Sequence, residues 1–291
     1  MQTPLLFKTI AVVGKYMNPA AVESMREDLA ILVAHLKSRQ VTVLVEENTA
    51  KQAQLDDCLA VKQNQISQRA DLVIVMGGDG TMLSVARSLI ETDVPLIGIN
   101  RGRFGFLTDL RAEEMLDEID RILAGEYQQE SRMMLSTEVI RQHQTVFSCD
   151  ALNDVVIKSD LRLIELEVHI NQKFVYRQRS DGLIISTPTG TTAYALSAGG
   201  PILHPNLDAI ALVPICPHTL TNRPITVPSE SVVEVKLVQL NGAQISVDGQ
   251  SQAALMLDDV IRIKRAPRSV TLLHPKEYCY FEMLRNKLNW G

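Results

Sequence analysis

The chain has 291 residues, 46% of them hydrophobic and 22% charged, with a net charge of −5 at pH 7. That length suits one large domain or two modest ones with an ample core, and the balance is ordinary for a soluble globular protein. A net negative charge argues against nucleic acid as the main partner, since phosphate backbones are bound by clustered Lys and Arg.

Cys58, Cys149, Cys216 and Cys279 lie far apart with no C-x-x-C pair, and read as small buried hydrophobes in a reducing cytosol. No basic–apolar–small leader opens the chain, and no stretch approaches the ~20 apolar residues of a membrane span. The expectation is a cytoplasmic protein that does not engage membranes.

Over roughly the first 125 residues, short apolar runs alternate with helical patterns, as α/β units do. Thr9–Val13 reads as a strand. Asn18-Pro19 then offers a cap and a first-turn proline, and Val22, Met25, Leu29, Leu32 and Leu36 follow at helical spacing up to Lys37 and Arg39. Val41–Val45 is a second strand, and residues 51–68 are helical or mixed. Leu72–Met76 and Pro95–Ile99 read as buried strands flanking a helix over Thr81–Glu91. Met115, Leu116, Ile119, Ile122 and Leu123 form another helix, stopped by Gly125. The sum is an open, mostly parallel sheet.

After Tyr127 the period becomes two. Ile164, Leu166, Val168 and Ile170 alternate with Glu165, Glu167 and His169, and Asn171-Gln172 turns the chain into Phe174–Tyr176. Val233, Val235 and Leu237 alternate with Glu234 and Lys236 before the hairpin signal Asn241-Gly242, and Ile261 and Ile263 alternate with Arg262 and Lys264. This half reads as a β-rich domain with antiparallel pairing. Ser269–His274 is strand-like again, and Phe281, Leu284 and Leu288 make a helical stripe that needs a face to bury itself against. The expected domains are therefore 1–126, completed by the tail 269–291, and a β-rich domain over 127–268.

Gly77-Gly78-Asp79-Gly80 lies between the strand Leu72–Met76 and the helix that follows. A βα turn at the carboxyl end of a strand is where α/β proteins place their chemistry. Glycines let backbone approach a ligand, and a helix start offers free N–H groups to an anion. Asp79 stands out there, because a carboxylate repels phosphate; it suggests a proton acceptor or a partner for a metal-bound phosphate. The turn has no Walker A Lys-Ser/Thr and does not fit Gly-x-Gly-x-x-Gly. Taken alone it is also compatible with a tight corner in which Asp bonds its own backbone.

Three further segments are polar and glycine-rich. They are Asn100–Asp109, Asn153-Asp154 before the strand Val155–Ile157, and Arg179–Pro201, whose hydroxyls at Ser186, Thr187, Thr189, Thr191, Thr192 and Tyr194 suit a multi-hydroxyl ligand better than a core. With these segments in view, the chain resembles bacterial NAD kinases nearly end to end. GGDGTML, INRGRFGFLTDL, ALNDVV, RSDGLIISTPTGTTAYALSAGGPI and VDGQ occur in that family's order. The first alone is weak, since diacylglycerol and sphingosine kinases and the phosphofructokinases resemble it there. The 179–201 motif is far more specific. Departures are mild: Phe104 stands where leucine is usual and Ala195 where serine is frequent.

The resemblance implies an N-terminal Rossmann-like α/β domain, a C-terminal β-rich, sandwich-like domain, and an active site in the cleft between them. It implies transfer of the ATP γ-phosphoryl to the 2′-hydroxyl of the adenosine ribose of NAD, giving NADP and ADP. A divalent cation, Mg²⁺, would accompany ATP, and the assembly would be a homodimer or homotetramer. Phosphoryl transfer is mostly positioning and charge neutralisation, with a proton acceptor for the attacking hydroxyl. Asp79 takes that role, with the metal on the phosphates as its alternative, and Gly80 belongs to the same turn. Asn153 and Asp154 would bind the dinucleotide, the amide reading adenine and the carboxylate accepting from ribose hydroxyls. Arg179 and Asp181 would lie near the nicotinamide end, and Thr192, Ala193, Tyr194, Ala195, Leu196 and Ser197 would line the pocket. Arg162 and Gln250 are carried mainly by position.

His204, His218 and His274 show no metal-ligand spacing. His274-Pro275 reads as a strand end, Trp290 as a tail anchor, and Arg101 and Arg103 as solvated loop residues or, less readily, phosphate ligands. Two competing readings are a lipid or sugar kinase sharing the glycine turn and a non-catalytic NADP(H) sensor. The first lacks a use for the 179–201 motif and a basic amphipathic surface; the second gains nothing from Asp79.

Overall fold

A computed structural model describes residues 6–14, 19–100, 105–159, 163–219, 221–239 and 242–290, with side chains of the first helix described from 25 onward. Asn18, Arg101, Arg103, Phe104, Arg162 and Asn241 therefore lie outside the described residues. The chain divides into two compact units, 1–131 with 270–291, and 132–269.

The first unit is an α/β layer structure. Its elements are β1 (Thr9–Gly14), α1 (Pro19–Ser38), β2 (Thr42–Glu46), α2 (Glu47–Ala53), β3 (Leu59–Val61), α3 (Gln63–Ile66), β4 (Leu72–Met76), α4 (Asp79–Leu89), β5 (Leu96–Asn100), β6 (Leu110–Arg111) and α5 (Met115–Leu123). The strands run parallel in the order β3-β2-β1-β4-β5, and Leu72 to Met76 are all buried. Parallel strands covered on both faces need continuous apolar runs, which is why these segments lack alternation. Leu29, Leu32 and Leu36 of α1 and Ile119 and Ile122 of α5 pack in one core with Ile10, Val12, Ile74 and Ile97.

The chain passes to the second unit within β7 (Tyr127–Arg141). There follow β8 (Gln144–Ala151), β9 (Asp154–Ser159), β10 (Ile164–Ile170), β11 (Lys173–Ser180), β12 (Gly182–Ser186), α6 (Tyr194–Ser197), β13 (Ala209–Ile215), β14 (Ile225–Pro228), β15 (Val233–Gln239), β16 (Ala243–Val247), β17 (Ser251–Ala254) and β18 (Val260–Pro275). One antiparallel sheet has the order β14-β13-β12-β9-β16-β17. Its inward residues Val155, Ile157, Leu183, Ile185, Leu212 and Ile245 share a core with Leu166, Val168, Val235, Leu237, Ile261 and Ile263 of β10, β15 and β18. Its other face, with Val156, Ile184, Ala211 and Val213, buries Ala195 of α6. Both faces of β9, β12 and β13 are thus covered.

β18 is one strand of 16 residues, and its far end enters the first unit, where Leu272 pairs in parallel with Leu96 of β5. The final helix, α7 (Tyr280–Leu288), follows. Its buried residues are Tyr280 and Leu284, whereas Phe281 is 60% exposed, so the stripe expected from the sequence is rotated by one position. Trp290 is 52% exposed and does not anchor the tail against a core. Residues 51–68 resolve into the end of α2, β3 and α3. The carboxylate of Glu46 caps α2 by accepting from the N–H groups of Asn48 and Thr49 at 3.0 and 2.8 Å.

His274 is more than a strand end. It is buried, with Nδ1 2.7 Å from Asp109 Oδ2 and Nε2 3.1 Å from Glu130 Oε2, and its ring stacks on Tyr278 at 4.0 Å. The two carboxylates hold the end of β18 to the segments before β6 and within β7.

Candidate functional site

In the α/β unit the strand order reverses between β1 and β4: one connection leads outward to β2 and the other to β5. Ligands of such sheets bind outside the carboxyl ends of the strands at this reversal. The glycine turn emerges from the end of β4 at that point. Gly78 takes the N-cap position, and Asp79 and Gly80 are the first residues of α4. The helix therefore starts two residues earlier than hydrophobic spacing from Thr81 suggests.

Asp79 does not bond its own turn. Its Oδ2 accepts from the N–H of Phe106 at 2.9 Å and its Oδ1 from the N–H of Leu107 at 3.0 Å. A side chain at 105 would overlap that carboxylate, so only glycine lets the segment come this close. The half-buried carboxylate is consequently fixed in orientation by two successive amides. Lys287 of α7 lies on the same side, its Nζ 5.8 Å from the centre of the Phe106 ring. Partial burial lowers the pKa of its ammonium, with the Asp79 carboxylate acting in opposition. Lys287 and Gly105 both line a cleft of about 400 Å³ that also includes Asp109, Tyr278 and Met283.

In the β unit the turn Leu152–Asp154 is built around a residue of the VDGQ segment. Asp248 accepts from three consecutive N–H groups: Leu152 at 3.1 Å, Asn153 at 2.8 Å and Asp154 at 3.1 Å. The N–H of Asp248 in turn donates to the carbonyl of Asp154 at 2.9 Å. On the opposite side, the Thr187 hydroxyl donates to the Leu152 carbonyl at 2.6 Å and the Thr187 N–H to the Asn153 carbonyl at 2.9 Å. Gly190 lies so close to the Asn153 backbone that any Cβ there would overlap it. Asn153 is half-buried, and its side-chain amide makes no hydrogen bond among the described residues. Burial, followed by repulsion from the Asp248 carboxylate, pushes the pKa of Asp154 up to about 7.

The hydroxyl-rich segment uses most of its oxygens internally. Ser186 and Thr191 donate to the carbonyls of Thr187 and Pro188 at 2.9 and 2.6 Å, Thr192 to that of Thr189 at 3.2 Å, and Thr189 Oγ1 accepts from buried Arg132 at 3.3 Å. These groups hold the 3₁₀ turn Thr189–Thr192. Ala195 turns its methyl into the core. What α6 leaves outward is Tyr194, 42% exposed, together with Ser197; Thr192, Ala193 and Leu196 are half-buried. Arg179 and Asp181 are exposed at the β11–β12 junction, the carbonyl of Arg179 accepting from the His218 N–H at 2.9 Å. Gln250 is exposed two residues beyond Asp248.

Asp248, Gly105 and Lys287 were not singled out from sequence. Asp248-Gly249 carries a readable signal, an Asp-Gly pair whose residues both have left-handed φ, 50° and 67°. Among the described residues no three His, Cys, Asp or Glu side chains gather into a cation cage. Mg²⁺ commonly binds through one or two carboxylates plus substrate phosphates and keeps several waters. Asp79 suits that mode, because two amides occupy only part of the roughly four acceptor sites of a carboxylate.

The ATP-NAD kinase N-terminal domain family matches residues 10–127, and the ATP-NAD kinase C-terminal domain family matches residues 152–274. The NAD kinase of Aromatoleum aromaticum is 49% identical over 288 residues, covering 98% of this chain and 95% of that protein. The NAD kinase of Nitrosospira multiformis is 49% identical over 287 residues, covering 98% and 96%. Among solved structures, yeast NADH kinase complexed with NADH aligns with a TM-score of 0.85 and 26% identity over 98% of this chain and 87% of that one. An NAD kinase from Archaeoglobus fulgidus in complex with ATP aligns with a TM-score of 0.73 and 26% identity over 97% and 100%.

Proposed function

The chain belongs to the NAD kinase family, and from that premise we propose how its own residues carry the transfer of the ATP γ-phosphoryl to the 2′-hydroxyl of the NAD adenosine ribose. Two carboxylates divide the work. Asp79 takes the proton of the attacking hydroxyl, and Asp154 receives ribose hydroxyls so that the dinucleotide is held in one orientation.

The observation that carries this reading is the contrast in how the two are anchored. Asp79 is oriented by the N–H groups of Phe106 and Leu107, an arrangement that spends two backbone donors on one side chain. A ribose hydroxyl is a poor nucleophile near neutral pH, and a positioned proton acceptor is worth ~10²–10⁴-fold. Asp154 is held at a fixed height by its own backbone, while its carboxylate is left without a donor from the described residues. Vicinal hydroxyls supply two charge-assisted bonds to such a group. The unengaged amide of Asn153 beside it matches the donor and acceptor edge of adenine.

Tyr194 and Ser197 present a ring and a hydroxyl to the dinucleotide, with Thr192, Ala193 and Leu196 beneath. Ala195 contributes only backbone. Arg179 and Asp181 serve the nicotinamide end, and Gly80, Arg162 and Gln250 complete the set. Mg²⁺ entering with ATP would neutralise charge on its phosphates, with Asp79 as the protein carboxylate open to it. A cytoplasmic location and a homodimeric or homotetrameric assembly belong to the same proposal; light scattering on the purified protein checks the latter.

The test is direct. Purified protein incubated with ATP, Mg²⁺ and NAD forms NADP and ADP; absence of product across a range of divalent metals removes the reading.

A further inference from the structure

Two buried carboxylates meet at the 152–154 turn, and their surroundings are opposite. Asp248 is 8% exposed and collects three N–H donors. Asp154 is 5% exposed, and no hydrogen bond among the described residues ends on its carboxylate. Its amide and carbonyl are both tied to Asp248, which holds the backbone at 154 beside that carboxylate. A largely buried carboxylate with no donor among the described residues, beside a second carboxylate, is costly as an anion, and taking up a proton relieves that cost.

We propose that capture of the NAD ribose at Asp154 expels a proton to solvent, and that Asp248 is the positioning residue that sets this linkage. The inference rests on the reading of Asp154 as the ribose acceptor. In the free protein near neutral pH, part of the Asp154 population is a carboxylic acid. On binding, its O–H bond breaks, the proton passes to buffer, and two ribose hydroxyls donate to the resulting carboxylate. Those new donors do for Asp154 what three amides already do for Asp248.

The groups facing Asp154 support this. The β16–β17 turn contributes Asp248, the charge that acts on it after burial itself. The end of β12 and the segment after it contribute Ser186 and Thr187, both uncharged and both hydrogen-bonded to backbone. Buried Arg132 donates to Thr189 Oγ1 at 3.3 Å.

Isothermal titration with NAD at pH 7, in buffers of different ionisation enthalpy, counts the protons released. About half a proton per NAD is expected for a group midway through its titration, rising toward one near pH 6 and vanishing near pH 8.5. Asp154→Asn should bind NAD weakly and release none. Asp248→Asn removes the neighbouring charge and should cut the release at pH 7; where that variant does not fold, the wild-type count alone decides. Heats independent of buffer, with NAD binding still lost in Asp154→Asn, overturn the linkage and leave the ribose assignment standing. Unchanged NAD affinity in Asp154→Asn overturns the ribose assignment itself. Release that persists in Asp154→Asn, or is unaltered in a folded Asp248→Asn, also rejects the proposal.

Discussion

Gly105 approaches Asp79 so closely that a methyl group at 105 would overlap the carboxylate oxygen Oδ1. The same carboxylate accepts the next two backbone N–H groups, from Phe106 and Leu107. Gly105 is therefore the residue that permits the grip, and Asp79 the residue that uses it.

Gly105→Ala should displace the carboxylate. A misplacement of about 1 Å costs on the order of 10²-fold in turnover. The expected result is a fall in kcat of that size with NAD affinity kept, measured by steady-state kinetics beside equilibrium binding.

Asp154→Ala should act in the other direction. Losing hydrogen bonds to a charged acceptor is worth ~1.5–3 kcal/mol, or roughly 10–150-fold. KM for NAD should rise by about that factor, with the smaller change in kcat. An unchanged KM would remove Asp154 from the binding site.

The fold was legible in the sequence where burial is simple. Alternation marked β10 to both of its ends, and the unbroken apolar run of β4 marked a strand covered on both faces. β18 was read in two pieces, because its first half pairs antiparallel with β15 and its last residues pair in parallel with β5, so its period changes midway. The threonines of 187–192 suggested ligand contacts, and their hydrogen bonds to backbone carbonyls were not legible, because side-chain type does not say which partner a hydroxyl finds. Asp248 escaped notice because its bonds reach residues 94 to 96 positions away. Contacts of that separation leave no mark in local pattern, and neither does the approach of Gly105 to Asp79.

The raised pKa of Asp154 also bears on stability. Its folded-state value near 7 lies above the ordinary 3.8, so between those values the folded protein binds more protons than the unfolded chain. Its contribution to stability is then fully present below the lower value and is lost as pH rises through the upper one. Asp154→Asn, which cannot ionise, should raise the Tm of the ligand-free protein at pH 8, with a gain that shrinks as pH falls through 7 toward 4. A gain that grows on acidification would contradict the assignment.

The central claim is that turnover and dinucleotide binding rest on different carboxylates. Its most direct test is Asp79→Asn, assayed for NADP formation with ATP and Mg²⁺ and, separately, for NAD affinity. The account predicts a fall in kcat of ~10²–10⁴-fold with NAD affinity within a few-fold of wild type. Equal losses in both, or turnover that survives, would contradict it.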